Sequence, residues 1–232
     1  MAQEAAAGTQ PQTHSPESSM ASETSSSMES SSDETGDTKE VEARRWNRLL
    51  EFGVPRRFLR AVCGDFEPRI RNVITGGRPG YFVTGGAGTG KTHLAVAILR
   101  DWLHRRRERS VPWSGEDPAA FIRATDLLLR LRGSFSREVG EARELTLVRL
   151  YQTIPLLALD DLGAEKASDW ALSALYSIIA ARYDDLRPTV VTSNLSLEEL
   201  DRWDPRISSR LAGWRVIELG GRDRRIEEGG DE

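Results

Sequence analysis

The sequence predicts an α/β fold: an αβα sandwich built on a central parallel sheet. Short apolar runs that predict buried strands alternate with stretches of helical periodicity along the chain, and this alternation is typical of right-handed βαβ units. A glycine-rich stretch at 85–92 follows one predicted strand and opens one predicted helix. It fits G-x-x-x-x-G-K-[ST], so the predicted fold class is that of the P-loop NTPases.

Composition divides the chain into four predicted segments. Residues 1–40 carry eight acidic groups and a single lysine among many Ser and Thr residues. They have too few apolar groups to offset chain entropy, so we expect a disordered acidic tail. Residues 41–79 are predicted to form a helical N-terminal extension, 80–226 the P-loop core, and 227–232 a short polar tail.

The net charge of −4 hides a mildly basic body. Beyond residue 40 the chain has 28 acidic and 31 basic residues, a balance that permits nucleic-acid binding without establishing it. Cys63 is the only cysteine, which excludes an intramolecular disulfide and a multi-cysteine zinc site. The first residues lack the features of a secretory signal, and no apolar run approaches the roughly 20 residues that span a bilayer. We therefore expect a cytoplasmic protein without membrane contact.

The N-terminal part of the chain leads to the glycine-rich loop. A helix over 41–50 is predicted to end before Gly53 and Pro55, because proline cannot continue a helix. A short second helix is predicted at 56–62, and another within 69–79. The strand at 81–84 then precedes the loop, and a helix from 92 to about 102 follows it.

The middle of the chain predicts one strand and two helices. The strand covers 119–124, and Thr125 is predicted to cap a helix that continues to about residue 131. A second helix is expected over 141–151. Three apolar residues share one predicted face of it, at i, i+3 and i+4: Leu147, Leu150 and Tyr151.

The last part of the chain completes the sheet, with strands predicted at 155–163, 188–194 and 214–219. Ser168 or Asp169 is expected to cap the helix after the first of these. Ser196 and Glu199 match a capping box over a short helix, and one more helix is predicted over 204–211. Ligands of such sheets bind at the carboxyl ends of the strands, where the loop, the acids after residue 159 and Asn194 all lie.

The glycine-rich loop is predicted to bind the phosphates of a nucleotide. Its glycines let successive backbone N–H groups point at phosphate oxygens, and the new helix adds its positive end. Lys91 is expected to reach the β- and γ-phosphates, and the Thr92 hydroxyl to ligate Mg²⁺. A flexible turn is the alternative, which the flanking strand and helix disfavour. The residues predicted to bind ATP are Gly85, Gly86, Ala87, Gly88, Thr89, Gly90, Lys91, Thr92 and His93.

Two acids follow the four apolar residues 156–159 of the strand predicted at 155–163. Asp160 has the position of a Walker-B aspartate, which holds Mg²⁺ together with the P-loop threonine. Asp161 stands where many ATPases have a glutamate as the base, and its shorter side chain predicts weaker hydrolysis. Glu165 is a second candidate base. A solvated Asp-Asp turn is the alternative, and the apolar strand upstream argues against it.

Two further groups complete the set that phosphoryl transfer needs. Asn194 ends a predicted strand, where its amide can bond the γ-phosphate and the attacking water; an asparagine in a turn is the alternative. Arg210 is the candidate arginine finger, which would act on a neighbouring subunit. Arg206 is its close rival, and a surface ion pair is the alternative for either. Arg224 and Arg225 are candidates for nucleotide or DNA contact.

These motifs together resemble a known family. The stretches that carry the resemblance are GGAGTGKTHL at 85–94, TDLL at 125–128, LDDLGAE at 159–165, TSNL at 192–195 and SRL at 209–211. They look like the AAA+ ATPases of the DnaC/IstB-type group, which comprises replicative helicase loaders and transposition helper ATPases. The match covers about residues 45–226 and includes GVPRRF at 53–58 and GRDRR at 221–225.

The resemblance implies an αβα core of the AAA+ type without a C-terminal lid domain, ATP and Mg²⁺ as cofactors, and ATP-dependent assembly into a homo-oligomer. It also implies DNA as a partner, single-stranded in the first instance, and a replicative helicase or another DNA-processing protein. Asn194 would be sensor 1, Arg210 the finger, and helix 141–151 an extra helix for assembly and DNA contact. Residues 1–40 do not look like a helicase-binding domain, whereas the short stretch between Asn194 and Arg210 fits the loader branch better.

The leading hypothesis is an AAA+ ATPase that acts on DNA: a DnaC-like helicase loader or replication accessory protein. Its hydrolysis of ATP is expected to be slow and to be stimulated by DNA or a partner. Two alternatives stay open. One is an IstB-like transposition helper that binds duplex DNA. The other is a nucleotide-gated binding module with negligible hydrolysis, which Asp161 in the place of a glutamate motivates.

Overall fold

The computed structural model describes residues 47–75, 79–108, 118–133, 140–164 and 168–221. All of these belong to a single unit that spans Glu42–Glu232. The predicted tails at 1–40 and 227–232, the candidate base Glu165 and the pair Arg224 and Arg225 lie outside the described residues.

Five strands form the sheet: β1 (Gly80–Gly85), β2 (Ala119–Arg123), β3 (Leu156–Leu162), β4 (Thr189–Ser193) and β5 (Arg215–Leu219). Their order across the sheet is β2-β3-β4-β1-β5, and every pair is parallel. Strands β1, β3 and β4 are buried almost throughout, as expected when helices cover both faces. The predicted fold class is confirmed.

In the described residues, eight α-helices accompany the strands: α1 (residues 47–51), α2 (Pro68–Thr75), α3 (Lys91–Glu108), α4 (Ala124–Gly133), α5 (Gly140–Thr153), α6 (Asp169–Asp184), α7 (Leu197–Trp203) and α8 (Pro205–Ala212). Ser168 caps α6 by accepting from the Ala171 N–H at 3.2 Å. Ser196 and Glu199 form the predicted capping box at the start of α7. Up to residue 221 no lid of helices follows β5.

Three local predictions were wrong. The stretch 56–62 contains only a 3₁₀ helix at Arg56–Phe58, with a second at Cys63–Asp65. Helix α4 begins directly after β2, so Thr125 lies inside its first turn and does not cap it. On α5, Leu147 and Tyr151 of the predicted face pack toward the core together with Val148, whereas Leu150 is 49% exposed.

The described part of the N-terminal extension packs into the core on one side of the sheet. Phe52, Val54 and Phe66 are buried in the same cluster as Val83 of β1. The Phe121 N–H of β2 donates to the Phe52 carbonyl at 2.7 Å, so the extension also contacts the edge of the sheet. Helices α4, α5, α6 and α8 cover the other face. Among the described helices, none combines the length and the apolar character needed to cross a bilayer.

Candidate functional site

The carboxyl ends of the central strands bring the predicted site residues together. Strand β1 runs into the glycine-rich loop, and its Thr84 is in register with Ser193 at the end of β4. Asp160 lies near the end of β3, in register with Arg123 of β2. Asn194 directly follows β4. The parallel sheet therefore places the loop, the acids and the asparagine along one edge, as the sequence predicts.

The loop between β1 and α3 has the conformation that its glycines permit. Gly88 has φ +72°, in the left-handed region that side chains disfavour. A Cβ at Gly85 would meet the Leu219 carbonyl oxygen at 2.2 Å, so only glycine fits beside the end of β5. The Thr89 hydroxyl donates to the Gly86 carbonyl at 2.9 Å and braces the turn.

Lys91 and Thr92 open helix α3 at the end of this loop. The Lys91 side chain is buried, and its ammonium donates to the carbonyls of Gly85 at 2.8 Å and Gly86 at 2.5 Å. The Thr92 hydroxyl donates to the Asp160 carboxylate, 3.0 Å from Oδ1 and 3.2 Å from Oδ2. The positive end of a helix, an ammonium and backbone amides in one loop suit an anion such as phosphate.

Asp160 is the buried acid of the site, only 3% exposed. Burial raises the pKa of its carboxyl, and hydrogen bonds from Thr192 and Thr92 oppose part of that rise. The Thr92 hydroxyl and this carboxylate are hard oxygen donors of the kind Mg²⁺ prefers. The described residues contain no cluster of three His, Cys, Asp or Glu side chains that would cage a metal.

Asp161 and Asn194 contact each other beside Asp160. The Asn194 Nδ2 donates to Asp161 Oδ1 at 3.1 Å. Asp161 has φ +63°, a left-handed conformation rare for a residue with a side chain and often found at functional sites. Its carboxylate is half-buried, while Asn194 is exposed. The two side chains therefore contact each other beside Asp160, and their part in water activation stays a prediction.

His93 turns its ring toward the N-terminal extension. Its Nε2 lies 2.6 Å from Asp65 Oδ2, and its ring packs edge-on against Phe66 and Phe58, with centroids 5.7 and 6.4 Å away. The imidazole is therefore engaged with Asp65. A part for His93 in ATP binding stays a prediction, with its backbone N–H as the group available near the start of α3.

The two candidate finger arginines lie on α8. Arg206 donates to Asp204 from Nε at 3.1 Å and from Nη2 at 2.7 Å. Arg210 places its guanidinium carbon 5.2 Å from the centre of the Tyr176 ring, and Arg206 lies 4.7 Å from the same ring. Within the part of the chain that the structure describes, Arg210 has no acidic partner, and its contact is with Tyr176 rather than with the loop.

Comparison with known proteins places this arrangement in a family. A family model described as "IstB-like ATP binding protein" matches residues 78–211, more than half of the 232-residue chain. The chain belongs to this family. The match begins just before β1 and ends on α8, so it contains the loop, both acids, Asn194 and Arg210.

Relatives of this IstB-like chain include proteins of DNA replication. It is 27% identical over 159 residues to the replicative helicase loader DnaC of Escherichia coli (strain K12), covering 68% of this chain and 54% of DnaC. It is 27% identical over 127 residues to the replicative helicase loader DnaI of Bacillus subtilis (strain 168), covering 54% and 36%. The chain thus spans about half the length or less of these relatives.

A solved structure agrees with the fold. The crystal structure of the DnaC helicase loader superposes with a TM-score of 0.56 at 25% identity, covering 72% of this chain and 100% of that one. AMPPCP-bound DnaA from Aquifex aeolicus gives a TM-score of 0.54 at 18% identity, covering 74% and 56%. The second likeness concerns the fold alone. The core of this family member is accordingly a P-loop domain of the AAA+ type.

The sequence patterns did not predict the contacts of three residues at or near the site. Thr192 is buried and donates a hydrogen bond to Asp160. Arg123 lies in register with Asp160 on the neighbouring strand. The ring of Tyr176 packs against the guanidinium groups of Arg206 and Arg210 on α8. Thr192 stands two positions before Asn194 in a strand that also contains Thr189 and Ser193, so the sequence alone does not distinguish it. The other two contacts depend on strand order and helix packing, which no local pattern encodes.

Proposed function

We propose that this chain binds and hydrolyses Mg·ATP and uses that cycle to act on DNA as a helicase-loader-type replication ATPase. The observation that carries the proposal is the contact between Thr92 and Asp160, 3.0 Å apart beside the buried Lys91. It joins the P-loop and the Walker-B strand at one point. A solvated turn would not produce that arrangement.

The loop would hold the nucleotide by its phosphates. Backbone N–H groups of 85–90 and the Lys91 ammonium would replace the water around the β- and γ-phosphates. The Thr92 hydroxyl and the Asp160 carboxylate would hold Mg²⁺, which neutralises charge that develops on the phosphate oxygens. Lys91 would exchange its bonds to the Gly85 and Gly86 carbonyls for the phosphates.

Water activation would depend on Asp161 and Asn194. The Asp161 carboxylate would accept a proton from the attacking water, and the Asn194 amide would orient that water and contact the γ-phosphate. The bond between the two side chains, 3.1 Å long, would have to open for the amide to turn. Glu165 remains the alternative base.

Arg210 would complete the site of a neighbouring subunit. It has no acidic partner among the described residues, whereas Arg206 is paired with Asp204. A guanidinium supplied in trans stabilises the charge of the transition state. Hydrolysis would then require ATP-dependent assembly into a homo-oligomer, which is part of the proposal.

The proposed partners are DNA, single-stranded in the first instance, and a replicative helicase or another DNA-processing protein. Support comes from the names of the relatives, DnaC and DnaI, both replicative helicase loaders. A cytoplasmic location is part of the same proposal.

Two alternatives have specific support. The family description favours an IstB-like transposition helper. The closed Asp161–Asn194 pair favours a nucleotide-gated module that scarcely hydrolyses ATP.

The test is ATP binding and turnover, with and without single-stranded DNA, alongside light scattering for oligomer size. We expect Lys91→Ala to abolish ATP binding, Asp161→Asn to bind ATP but lose turnover, and the exposed control Asp201→Asn to match the wild type. Turnover stimulated by single-stranded DNA with nucleotide-dependent assembly supports the loader. Stimulation by duplex DNA alone favours the transposition helper. Binding without turnover or assembly favours the gated module, and wild-type ATP affinity in Lys91→Ala would reject all three.

A further inference from the structure

The two acids of the site lie in an irregularity between β3 and β4. Leu159 is in register with Val191, and Leu162 with Ser193. Two residues of β3, Asp160 and Asp161, therefore face a single residue of β4, which is Thr192. Two residues opposite one define a β-bulge, a feature that changes the direction of side chains and is common next to active sites.

The Thr192 side chain replaces the backbone bonding that the bulge disrupts. Its hydroxyl donates to Asp160 Oδ1 at 2.7 Å and accepts from the Asp161 N–H at 2.9 Å. The residue is 1% exposed, so water does not compete for either bond. One O–H group thus contacts the carboxylate of the first acid and the backbone of the second.

We propose that Thr192 is a positioning residue that sets the geometry of both acids. This inference rests on the function proposed above, in which Asp160 holds Mg²⁺ and Asp161 activates water. The bond to Oδ1 orients the Asp160 carboxylate, whose two oxygens also accept from the Thr92 hydroxyl. The bond from the Asp161 N–H holds that residue at φ +63°, where its carboxylate meets Asn194.

The chemistry of the contact requires a hydroxyl at position 192. Valine has nearly the shape of threonine but neither donates nor accepts. In Thr192→Val the buried Asp160 carboxylate loses a donor, and the Asp161 N–H loses its partner inside the sheet. Serine keeps both bonds and loses only a methyl group. The pair Thr192→Val and Thr192→Ser therefore separates positioning from packing.

The first experiment is amide hydrogen exchange at Asp161 in the full chain without nucleotide, followed by NMR. We expect protection in the wild type and in Thr192→Ser, and loss of protection in Thr192→Val. The substitution Thr125→Val, at a half-buried position on α4, is the control and should leave the Asp161 amide protected. Rapid exchange of this amide in the wild type itself would overturn the proposal, even if the valine variant fails to fold.

The second experiment measures turnover as a function of Mg²⁺ concentration. In Thr192→Val we expect the Mg²⁺ concentration for half-maximal turnover to rise, or kcat to fall, by about 10- to 100-fold, the range found when a partner of a metal ligand is removed. ATP affinity without Mg²⁺ should be unchanged, and Thr192→Ser should stay within about threefold of the wild type. An unchanged Mg²⁺ profile and kcat in Thr192→Val contradict the proposal.

The exchange measurement needs no nucleotide. A negative result there would therefore reject the positioning role of Thr192 alone, whereas Lys91→Ala tests the proposed function.

Discussion

The Asp204 carboxylate holds Arg206 in a two-pronged ion pair, with Nη2 2.7 Å from Oδ2 and Nε 3.1 Å from Oδ1. Asp204 is 3% exposed and also caps α8, accepting from the Arg206 and Ile207 N–H groups at 2.8 and 3.3 Å. A guanidinium committed to such a structural pair is poorly suited to reach a neighbouring subunit. The ion pair with Asp204 therefore favours Arg210 over Arg206 as the candidate arginine finger, a choice that the sequence left open.

Arg210→Ala is expected to lower the rate of ATP turnover by about 10³-fold while ATP affinity stays within threefold, because an arginine finger acts on the transition state. Turnover should be measured at protein concentrations where light scattering shows the oligomer. The matched control is Arg202→Ala, an exposed arginine at the end of α7. If Arg206→Ala slows turnover and Arg210→Ala does not, the finger is Arg206.

Asp204 is expected to stabilise the fold in a pH-dependent way. The hydrogen bond from Arg206, followed by the backbone N–H groups of α8, holds the pKa of this carboxyl below its ordinary value despite burial. A lowered folded-state pKa gives stability that is present above the unfolded value of about 3.9 and is lost as the pH falls through the folded value. Asp204→Asn should therefore reduce the free energy of unfolding by about 1 kcal/mol at pH 7.

Urea unfolding of the wild type and Asp204→Asn at several pH values checks this sign. The difference between them should shrink as the pH falls below about 4. If the difference in the free energy of unfolding grew toward acid pH instead, the protonated carboxyl would stabilise the fold more than the charged one. Asp201→Asn, on the exposed side of α7, serves as the control and should show no pH-dependent difference.

Most of the fold follows from local pattern, and the exceptions have physical causes. Apolar runs predicted all five strands, and the P-loop and the Ser196 capping box are local chemistry that the structure reproduces. Helix α5 shows where periodicity fails. On a helix, Val148 and Leu150 lie on opposite sides of the face that contains Leu147 and Tyr151. Only the packing of neighbouring helices decides which of them is buried.

The site shows the same division. The P-loop and the Walker-B acids were placed by spacing, since strand ends meet at one edge of a parallel sheet. Thr192 could not be assigned, because its importance arises from a bulge between strands that are far apart in sequence. The ring of His93 could not be placed either, since it depends on how the N-terminal extension packs against α3.

His93→Ala is expected to weaken the folded state and to leave ATP affinity within about threefold. The imidazole contacts Asp65 and the rings of Phe58 and Phe66, so its loss removes an exposed polar contact and some packing, about 1 kcal/mol together. Thermal unfolding and calorimetric ATP titration measure the two effects. A tenfold loss of ATP affinity without loss of stability would show instead that the imidazole contacts the nucleotide.

Arg182→Met is expected to be among the most destabilising single substitutions in the core. Arg182 is fully buried on α6 and donates to five acceptors at the amino ends of β3 and β4: the carbonyls of Tyr151, Gln152, Ile154 and Pro188 and the hydroxyl of Thr189. Methionine fills much of the volume but leaves these groups without donors, at a cost of about 3–5 kcal/mol.

Urea unfolding of Arg182→Met measures that cost, and Arg187→Met is the control. Arg187 follows the end of α6 and donates to the Thr153 carbonyl at 2.6 Å, but its side chain is 33% exposed, so water can replace this bond. Its loss should cost less than about 1 kcal/mol. Because Arg182 lies at the opposite end of β4 from Thr192 and Asn194, a folded Arg182→Met should keep wild-type ATP affinity. A drop in ATP affinity with little change in stability would mean that this end of the sheet controls the loop.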